Sequence, residues 1–220
     1  MKCPRCVQQI HRAAESCPHC GFTLADADFA FGAEEVRLRR LTDAAGLIRR
    51  GDRARVEAAL AKFSRSFPQL FFAVYTGSLG EVANIRQFGF WLLNRGAFED
   101  VPVEIPNEAG ILLTIDPESK AATITFGYLL DPYLDQADTF LSLSRAHAHW
   151  LEGKYADGIV RLVDHLAGVL KKRSRQARRD PERFEKKHQP AASKRDLIKK
   201  IRSGHQTSNS RPSKSQEVAR

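Results

Sequence analysis

Four cysteines near the N-terminus have the residue type and spacing of a metal site. Cys3 and Cys6 form one Cys-x-x-Cys pair, and Cys17 and Cys20 form a second pair after a ten-residue spacer. Each pair fits a tight turn that aims two thiolates at one tetrahedral ion. The spacing therefore predicts a Zn²⁺ ion held by four sulfurs, with a redox pair or a degenerate remnant as the alternatives. Disulfides fit less well because nothing in the sequence indicates export.

This cysteine pattern also resembles the short zinc ribbons that cap many bacterial proteins. Gly21 follows the last cysteine, as it often does in those ribbons. Four protein ligands leave no open position for water, so the expected role of Zn²⁺ is structural, and so small a ribbon depends on its metal to fold. His11 and His19 lie nearby, and we expect both at the surface because four sulfurs already complete the site.

A second candidate site consists of carboxylates in the middle of the chain. Asp131, Asp135 and Asp138 recur at helical spacing, so a helix would present all three on one side. Such oxygens could hold Mg²⁺ or Ca²⁺, which would polarise a phosphoryl oxygen or activate water. The alternative is that carboxylates in the first turns of a helix are stabilised by the helix dipole and need no ion. Asp43 and Asp116 would complete a site if the fold brought them near.

Other polar residues give weaker signals. His147 and His149 are two positions apart, so on a helix their side chains point about 200° away from each other and do not share a metal. Ser78 lies in a glycine-flanked loop without the pattern of a nucleophile elbow, which argues against hydrolysis by a serine triad. Trp91 and Tyr128 are interpreted as packing residues.

The candidate acids surround a predicted hairpin that leads into a helix. Residues 111–115 and 123–126 are apolar and β-branched, with a turn between them, and Gly127 breaks the second strand. Asp131 suits a helix N-cap, and Pro132 suits the first helical position. Loops and free backbone N–H groups gather where a strand opens into a helix, so a site is expected there.

Hydrophobic periodicity predicts the remaining elements. Helices are expected over residues 53–67, 84–94, 132–151 and 155–172, and a buried strand over residues 70–76. The order is helix, strand, helix, strand, strand, helix, helix. It predicts an α/β fold with a small central β-sheet flanked by helices.

The positive charge of the chain is concentrated at its C-terminal end. The 220 residues carry a net charge of +9, but 17 basic and 5 acidic residues lie between Lys171 and Arg220, so the first 170 residues carry −3. We expect a mostly disordered basic tail over residues 173–220, because it has few apolar residues. Residues 193–202 could form a basic amphipathic helix that makes weak, non-specific contact with nucleic acid or anionic membrane. A solubilising tail without a partner is the alternative.

No segment has the roughly 20 apolar residues of a membrane span, and the first residues lack the apolar run of a signal peptide. A cytoplasmic protein without a transmembrane segment is therefore expected.

Short motifs spread along the chain resemble the TPM domain family, which is named after thylakoid-lumen, photosystem II repair and levamisole-receptor modulator proteins. They are residues 41–48 (LTDAAGLI), 109–113 (AGILL), 126–128 (FGY) and 151–159 (LEGKYADGI). The resemblance covers roughly residues 38–172. It implies an αβα-type domain.

The resemblance also suggests a function. Some members of the family are reported as phosphatases or as binding divalent ions through acidic residues near the Gly-Tyr turn. This chain departs from the family at residues 104–108 (EIPNE), where an Asp-Lys pair is absent, and at Leu129, which replaces the second glycine of the turn. The sequence also shows neither the signal peptide nor the membrane anchor that many relatives have.

Together these features predict four segments. Residues 1–24 form a zinc ribbon, 25–37 a linker, 38–172 a TPM-like α/β domain and 173–220 a basic tail. The preferred function is a non-catalytic interaction or accessory module that binds an unidentified protein partner. The alternative is a divalent-metal-dependent phosphatase in which Asp131 and Asp135 hold the ion beside the Gly-Tyr turn.

Overall fold

The computed structural model describes residues 2–10, 14–80 and 84–188, with side chains as far as Phe184. Its strands are β1 (Val36–Leu38), β2 (Leu41–Asp43), β3 (Phe71–Thr76), β4 (Gly96–Phe98), β5 (Gly110–Asp116) and β6 (Ala121–Phe126). Its α-helices are α1 (Leu24–Phe31), α2 (Arg50–Ser66), α3 (Ile85–Arg95), α4 (Gln136–Leu151), α5 (Tyr155–Arg179) and α6 (Pro181–His188).

A mixed sheet forms the centre of the fold, with the strand order β2-β3-β5-β6. The first three strands are parallel, and β6 returns antiparallel to β5 through the predicted hairpin. We call the edge where β2, β3 and β5 end the carboxyl edge, and the opposite edge the amino edge. Because β6 runs backwards, it ends at the amino edge, where Phe126 pairs with Ile111. Strands β1 and β4 form a separate parallel pair.

Each face of the central sheet packs against its own hydrophobic core. The first core joins the sheet to α2, α4 and α5, and the second joins it to α1, α3 and the cysteine-containing N-terminus. Alternation along the strands divides the side chains between the two cores: Phe72, Val74, Ile111, Leu113 and Ile115 face the first, whereas Phe71, Ala73 and Leu112 face the second. The predicted α/β class with a small sheet flanked by helices is confirmed.

Helix α4 begins later than the sequence predicts. Residues Tyr128–Leu130 form a 3₁₀ turn, and Leu130 and Leu134 are buried below it. The N-cap is Asp135, whose side chain accepts from the Asp138 N–H while the Asp138 side chain accepts from the Asp135 N–H. This reciprocal pair satisfies the free donors of the helix start, so the prediction of Asp131 as the N-cap is wrong.

Two segments predicted to lack regular structure are helical. Helix α1 starts at the last residue of the expected ribbon, covers the first half of the expected linker and begins with a capping box between Thr23 and Asp26. Helix α5 continues to Arg179 and is followed by α6, where the Phe184 ring lies 5.3 Å from the Tyr133 ring. Helical structure therefore extends into the predicted tail as far as residue 188. The remainder, including the predicted amphipathic segment 193–202, lies outside the described residues. None of the described helices is long and apolar enough to cross a membrane.

Candidate metal centre and acidic edges

The four predicted cysteine ligands converge. Their sulfur atoms all lie within 4.8 Å of one another, with 3.7 Å between the Sγ atoms of Cys3 and Cys20 and 3.6 Å between those of Cys6 and Cys17. Cys3 and Cys17 are buried, and the other two are half-buried. Four thiols from two turns at such separations match the donor set of a tetrahedral metal site with no open position.

The two cysteine turns repeat one backbone design. The N–H of Val7 donates to the carbonyl of Cys3 at 2.9 Å, and the N–H of Gly21 donates to the carbonyl of Cys17 at 2.8 Å. Both residues adopt the left-handed conformation, with φ of 62° for Val7 and 72° for Gly21. The sequence signalled this only in the second turn, since glycine tolerates positive φ and valine does not.

The turns also place backbone N–H groups around the sulfurs. Burial opposes ionisation of Cys17, but hydrogen bonds from the N–H groups of His19 and Cys20, with those from neighbouring thiols, lower its pKa to about 6. The Phe22 N–H favours the thiolate of Cys20, yet burial and the other three thiols raise the pKa of Cys20 to about 12. Four thiols this close cannot all ionise without a cation, so the donor set suits a soft divalent metal.

The N-terminal module is packed into the domain rather than appended to it. Cys3, Cys17 and Phe22 belong to the second core, and the Phe22 ring lies 5.8 Å from the Phe90 ring of α3. The indole N–H of Trp91 donates to the Gly32 carbonyl at 2.7 Å. Trp91 is buried, as its interpretation as a packing residue requires.

At the amino edge, Asp135 and Asp138 are engaged by an arginine of α5. The Arg173 guanidinium lies 2.9 Å from Asp135 and 2.7 Å from Asp138. Burial opposes ionisation of Asp135, but Arg173 and the Asp138 N–H outweigh it and hold the pKa of Asp135 below its usual range. Burial, together with the neighbouring Asp135 charge, raises the pKa of Asp138. Sequence periodicity did not indicate Arg173, because it lies 35 residues further along the chain.

Asp43 and Asp116 lie at the carboxyl edge, where β2 and β5 end. Asp43 accepts hydrogen bonds from the N–H groups of Leu47 and Ile48, at 2.9 and 3.0 Å, and from the Thr76 hydroxyl. Asp116 is buried and orders its own turn by accepting from the Glu118 N–H at 3.0 Å and from the Ser119 hydroxyl at 2.7 Å.

The two acidic edges are too far apart to form one site. Phe126 pairs with Ile111, so the turn that follows it lies at the amino edge, about five strand residues or roughly 17 Å from Asp116. The fold therefore does not bring Asp43 and Asp116 near Asp131, which was the condition for them to complete a site there. Across residues 2–10, 14–80 and 84–188, the four cysteines are the only group of three or more His, Cys, Asp or Glu side chains close enough to hold an ion.

The remaining candidates are dispersed. His147 is exposed and His149 half-buried on α4, and neither belongs to a metal-binding group within the part of the chain that the structure describes. The Ser78 hydroxyl donates to Glu118. One polar contact was not predicted: the Ser142 hydroxyl, fully buried on α4, lies 2.7 Å from Nδ1 of His165 on α5.

Close packing at the Gly-Tyr turn requires glycine at position 127. Gly127 follows β6, and its N–H donates to the Gly110 carbonyl at 2.9 Å. A Cβ atom at Gly127 would overlap the backbone of Glu108, so only glycine fits there. The turn is thus fixed against the start of β5, and Tyr128 beside it is 37% exposed.

Comparison with known proteins identifies the family of the central domain. A family model described as the TPM domain matches residues 41–169. Among solved structures, the chain is similar to the solution NMR structure of the N-terminal domain of a protein from P. gingivalis, at 22% sequence identity and a TM-score of 0.47, with 69% of this chain and 92% of that chain covered. No curated protein matches the chain. The family match spans more than half of the sequence and includes the central sheet, the Gly-Tyr turn and the helices of the first core. The chain belongs to the TPM domain family.

Proposed function

We propose that this protein is a non-catalytic interaction module in which a structural Zn²⁺, bound by Cys3, Cys6, Cys17 and Cys20, folds a zinc ribbon that packs against a TPM domain. The observation that carries the proposal is the convergence of four cysteine sulfurs within 4.8 Å in a site that packs into the second core. A tetrathiolate site is closed to substrate, so its metal would supply folding energy rather than chemistry.

The arrangement of the acids supports a module without catalysis. A divalent-ion site for phosphoryl transfer needs several oxygens around one point. Here Asp135 caps α4 and is ion-paired with Arg173, while Asp43 and Asp116 order turns at the opposite edge of the sheet. The competing proposal is a phosphatase that uses Mg²⁺ or Ca²⁺ at Asp131 and Asp135.

Exposed apolar side chains support a protein partner. Phe140 and Leu151 are 71% and 75% exposed, and they share a face of α4 because they are three helical turns apart. Both side chains, with Leu143 between them, line one groove, and exposed apolar surface of this kind often marks an interaction site. Lys171, Arg175 and Arg179 are exposed along α5 and would add weak contacts with nucleic acid or anionic membrane. We assign the protein to the cytoplasm, where thiols stay reduced and available for a metal.

The first experiment measures bound metal and turnover on the same purified full-length protein. Inductively coupled plasma mass spectrometry should find one zinc per chain, and Cys17→Ser should lose it. A phosphatase assay with added Mg²⁺, Mn²⁺ or Ca²⁺ should find no turnover. Protein purified without chelators that contains almost no zinc would contradict the zinc centre. Metal-dependent turnover that disappears in Asp131→Asn would favour the phosphatase.

The second experiment tests the interaction surface. A photo-crosslinking amino acid at position 140 should give a discrete adduct in cells, and the same group at Glu57, on the exposed surface of α2, serves as the matched control. Leu151→Asp should abolish the adduct from position 140. Equal adducts from both positions would contradict a partner-binding surface on α4.

A further inference from the structure

A cavity of about 740 Å³ lies at the amino edge, between the C-terminal half of α5 and the Gly-Tyr turn. It is separate from both the cysteine centre and the carboxyl edge. Its volume falls within the range of sites for small organic ligands, roughly 300–1,000 Å³. The cavity is therefore large enough to hold a ligand rather than a few waters.

The walls of this cavity are mostly apolar. Leu129 and Leu130 come from the 3₁₀ turn, Ile105 comes from the loop before β5, and Leu170 and Ala177 come from α5. Leu129, which replaces the second glycine of the family's turn, is 48% exposed although it lines the cavity. An alkyl chain in the cavity would bury Leu129. Each Å² of apolar surface removed from water contributes about 25 cal/mol to the free energy of binding.

The polar lining consists mainly of hydrogen-bond donors. Arg178 and Ser174 of α5 and Gln69 of the loop before β3 all line the cavity. None of these three side chains makes a hydrogen bond or an ion pair with another residue of the described chain. A guanidinium, a hydroxyl and an amide together offer a carboxylate its preferred partners.

The surrounding charge also favours an anion. Between Lys171 and Asp180 the helix end carries six basic residues and one acidic residue. Glu104 is the acidic side chain that opens onto the cavity from the loop before β5, and it forms no ion pair with Arg178. The positive charge of this part of α5, which forms the cavity wall containing Arg178, raises the affinity of the cavity for negative ligands.

We propose that this cavity binds an amphipathic carboxylate, with an alkyl chain against Leu129, Leu130 and Leu170 and its carboxylate on Arg178. The site goes beyond the interaction function and does not depend on it. Neither the protein nor the bound carboxylate undergoes a reaction, so the proposed role is recognition alone.

The test uses the zinc-loaded, full-length protein and three probes with the same decyl chain. Isothermal titration calorimetry should show that decanoate binds, that the neutral decanol binds more weakly, and that decyltrimethylammonium binds most weakly. Arg178→Gln should weaken decanoate about tenfold, as expected for the loss of one charge-assisted hydrogen bond, and should leave decanol unchanged. Arg175→Gln, which removes an equal charge from α5 outside the cavity lining, is the matched control and should change decanoate affinity less than about twofold.

A second variant checks the location of the alkyl chain. Ala177 is half-buried near the end of α5, so Ala177→Phe should fill the cavity and abolish binding of both decanoate and decanol, while circular dichroism confirms the fold. The proposal is overturned if decanoate does not bind, if Ala177→Phe leaves it bound, or if Arg178→Gln matches Arg175→Gln. Preferential binding of the cationic probe, lost in Glu104→Gln, would overturn the choice of an anion.

Discussion

Val7 and Gly21 occupy equivalent places in the two cysteine turns, with φ of 62° and 72° and the same N–H to carbonyl hydrogen bond back to the first cysteine. A β-branched residue in this conformation is strained, at a cost of about 1–3 kcal/mol. The convergence of four sulfurs on one point explains why the first turn keeps this conformation without a glycine. Substitutions at Val7 and Gly21 therefore test the ribbon without altering any cysteine.

Val7→Gly should raise the stability of the zinc-loaded ribbon by about 1 kcal/mol, because relief of strain exceeds the entropy cost of glycine. Gly21→Val is the reciprocal change and should lower the stability of the zinc-loaded ribbon by about 1–3 kcal/mol. The measurement is the zinc concentration needed to fold each variant, followed by the fluorescence of Trp91 in a Trp150→Phe background. Destabilisation by both changes would show that the side chain of Val7 contributes more than its backbone strain costs.

Gly127→Ala should destabilise the domain by about 2 kcal/mol or more, since its Cβ would overlap backbone atoms of Glu108 that cannot rotate away. Gly168→Ala provides the matched control. Gly168 lies within α5, and a Cβ atom there would meet nothing within 4 Å beyond its chain neighbours and the nearby backbone of its own helix, so alanine should stabilise the domain by about 0.5–1 kcal/mol. Urea denaturation of both variants checks the prediction, and an unchanged midpoint for Gly127→Ala would contradict it.

Asp135→Ala should cost about 1–2 kcal/mol, because it removes the N-cap of α4 and one partner of Arg173. Asp135→Ser keeps a capping oxygen, so its free energy of unfolding should stay within about 0.5 kcal/mol of that of the wild type.

Thermal melts with and without millimolar Ca²⁺, at constant ionic strength, should be the same for the wild-type protein. A Ca²⁺-dependent rise in Tm that is lost in Asp131→Asn would instead show an ion site at the amino edge.

His165 should make the α4–α5 contact sensitive to acid. Burial and the nearby charge of Arg145 lower the pKa of His165, although Asp138 opposes them. The folded protein therefore holds this proton less tightly than the unfolded chain, whose histidine pKa is about 6.5. The stability that His165 contributes is present above about pH 6.5 and is lost as pH falls through its lowered pKa.

His165→Asn isolates this contribution. The Ser142 hydroxyl donates to the Asp138 carbonyl at 2.7 Å, so its oxygen accepts from the imidazole, and an asparagine amide N–H can replace that donor. Between about pH 7 and pH 5, the Tm of the wild type should fall more than that of the variant. Parallel curves would mean that His165 does not titrate differently on folding.

Local patterns in the sequence were enough to predict much of this protein. The spacing of the cysteines predicted that they converge, because a Cys-x-x-Cys turn is set by its own few residues. The run of apolar and β-branched residues at 111–115 predicted the central strand, and the apolar stripe of Ile159, Leu162 and Leu166 predicted the buried face of α5. These features depend on neighbours close along the chain.

Tertiary structure decided which polar residues meet. Asp43 and Asp116 lie at one edge of the sheet, and Asp131 and Asp135 lie at the other, because β6 is antiparallel to a parallel set of strands. Strand order and direction are not local properties. Helical spacing grouped three aspartates, but it could not show that α4 begins only after Asp135 or that Arg173 pairs with Asp135 and Asp138. The cavity at the amino edge follows for the same reason, since its walls come from segments far apart in sequence that only the packing of α5 against the sheet brings together.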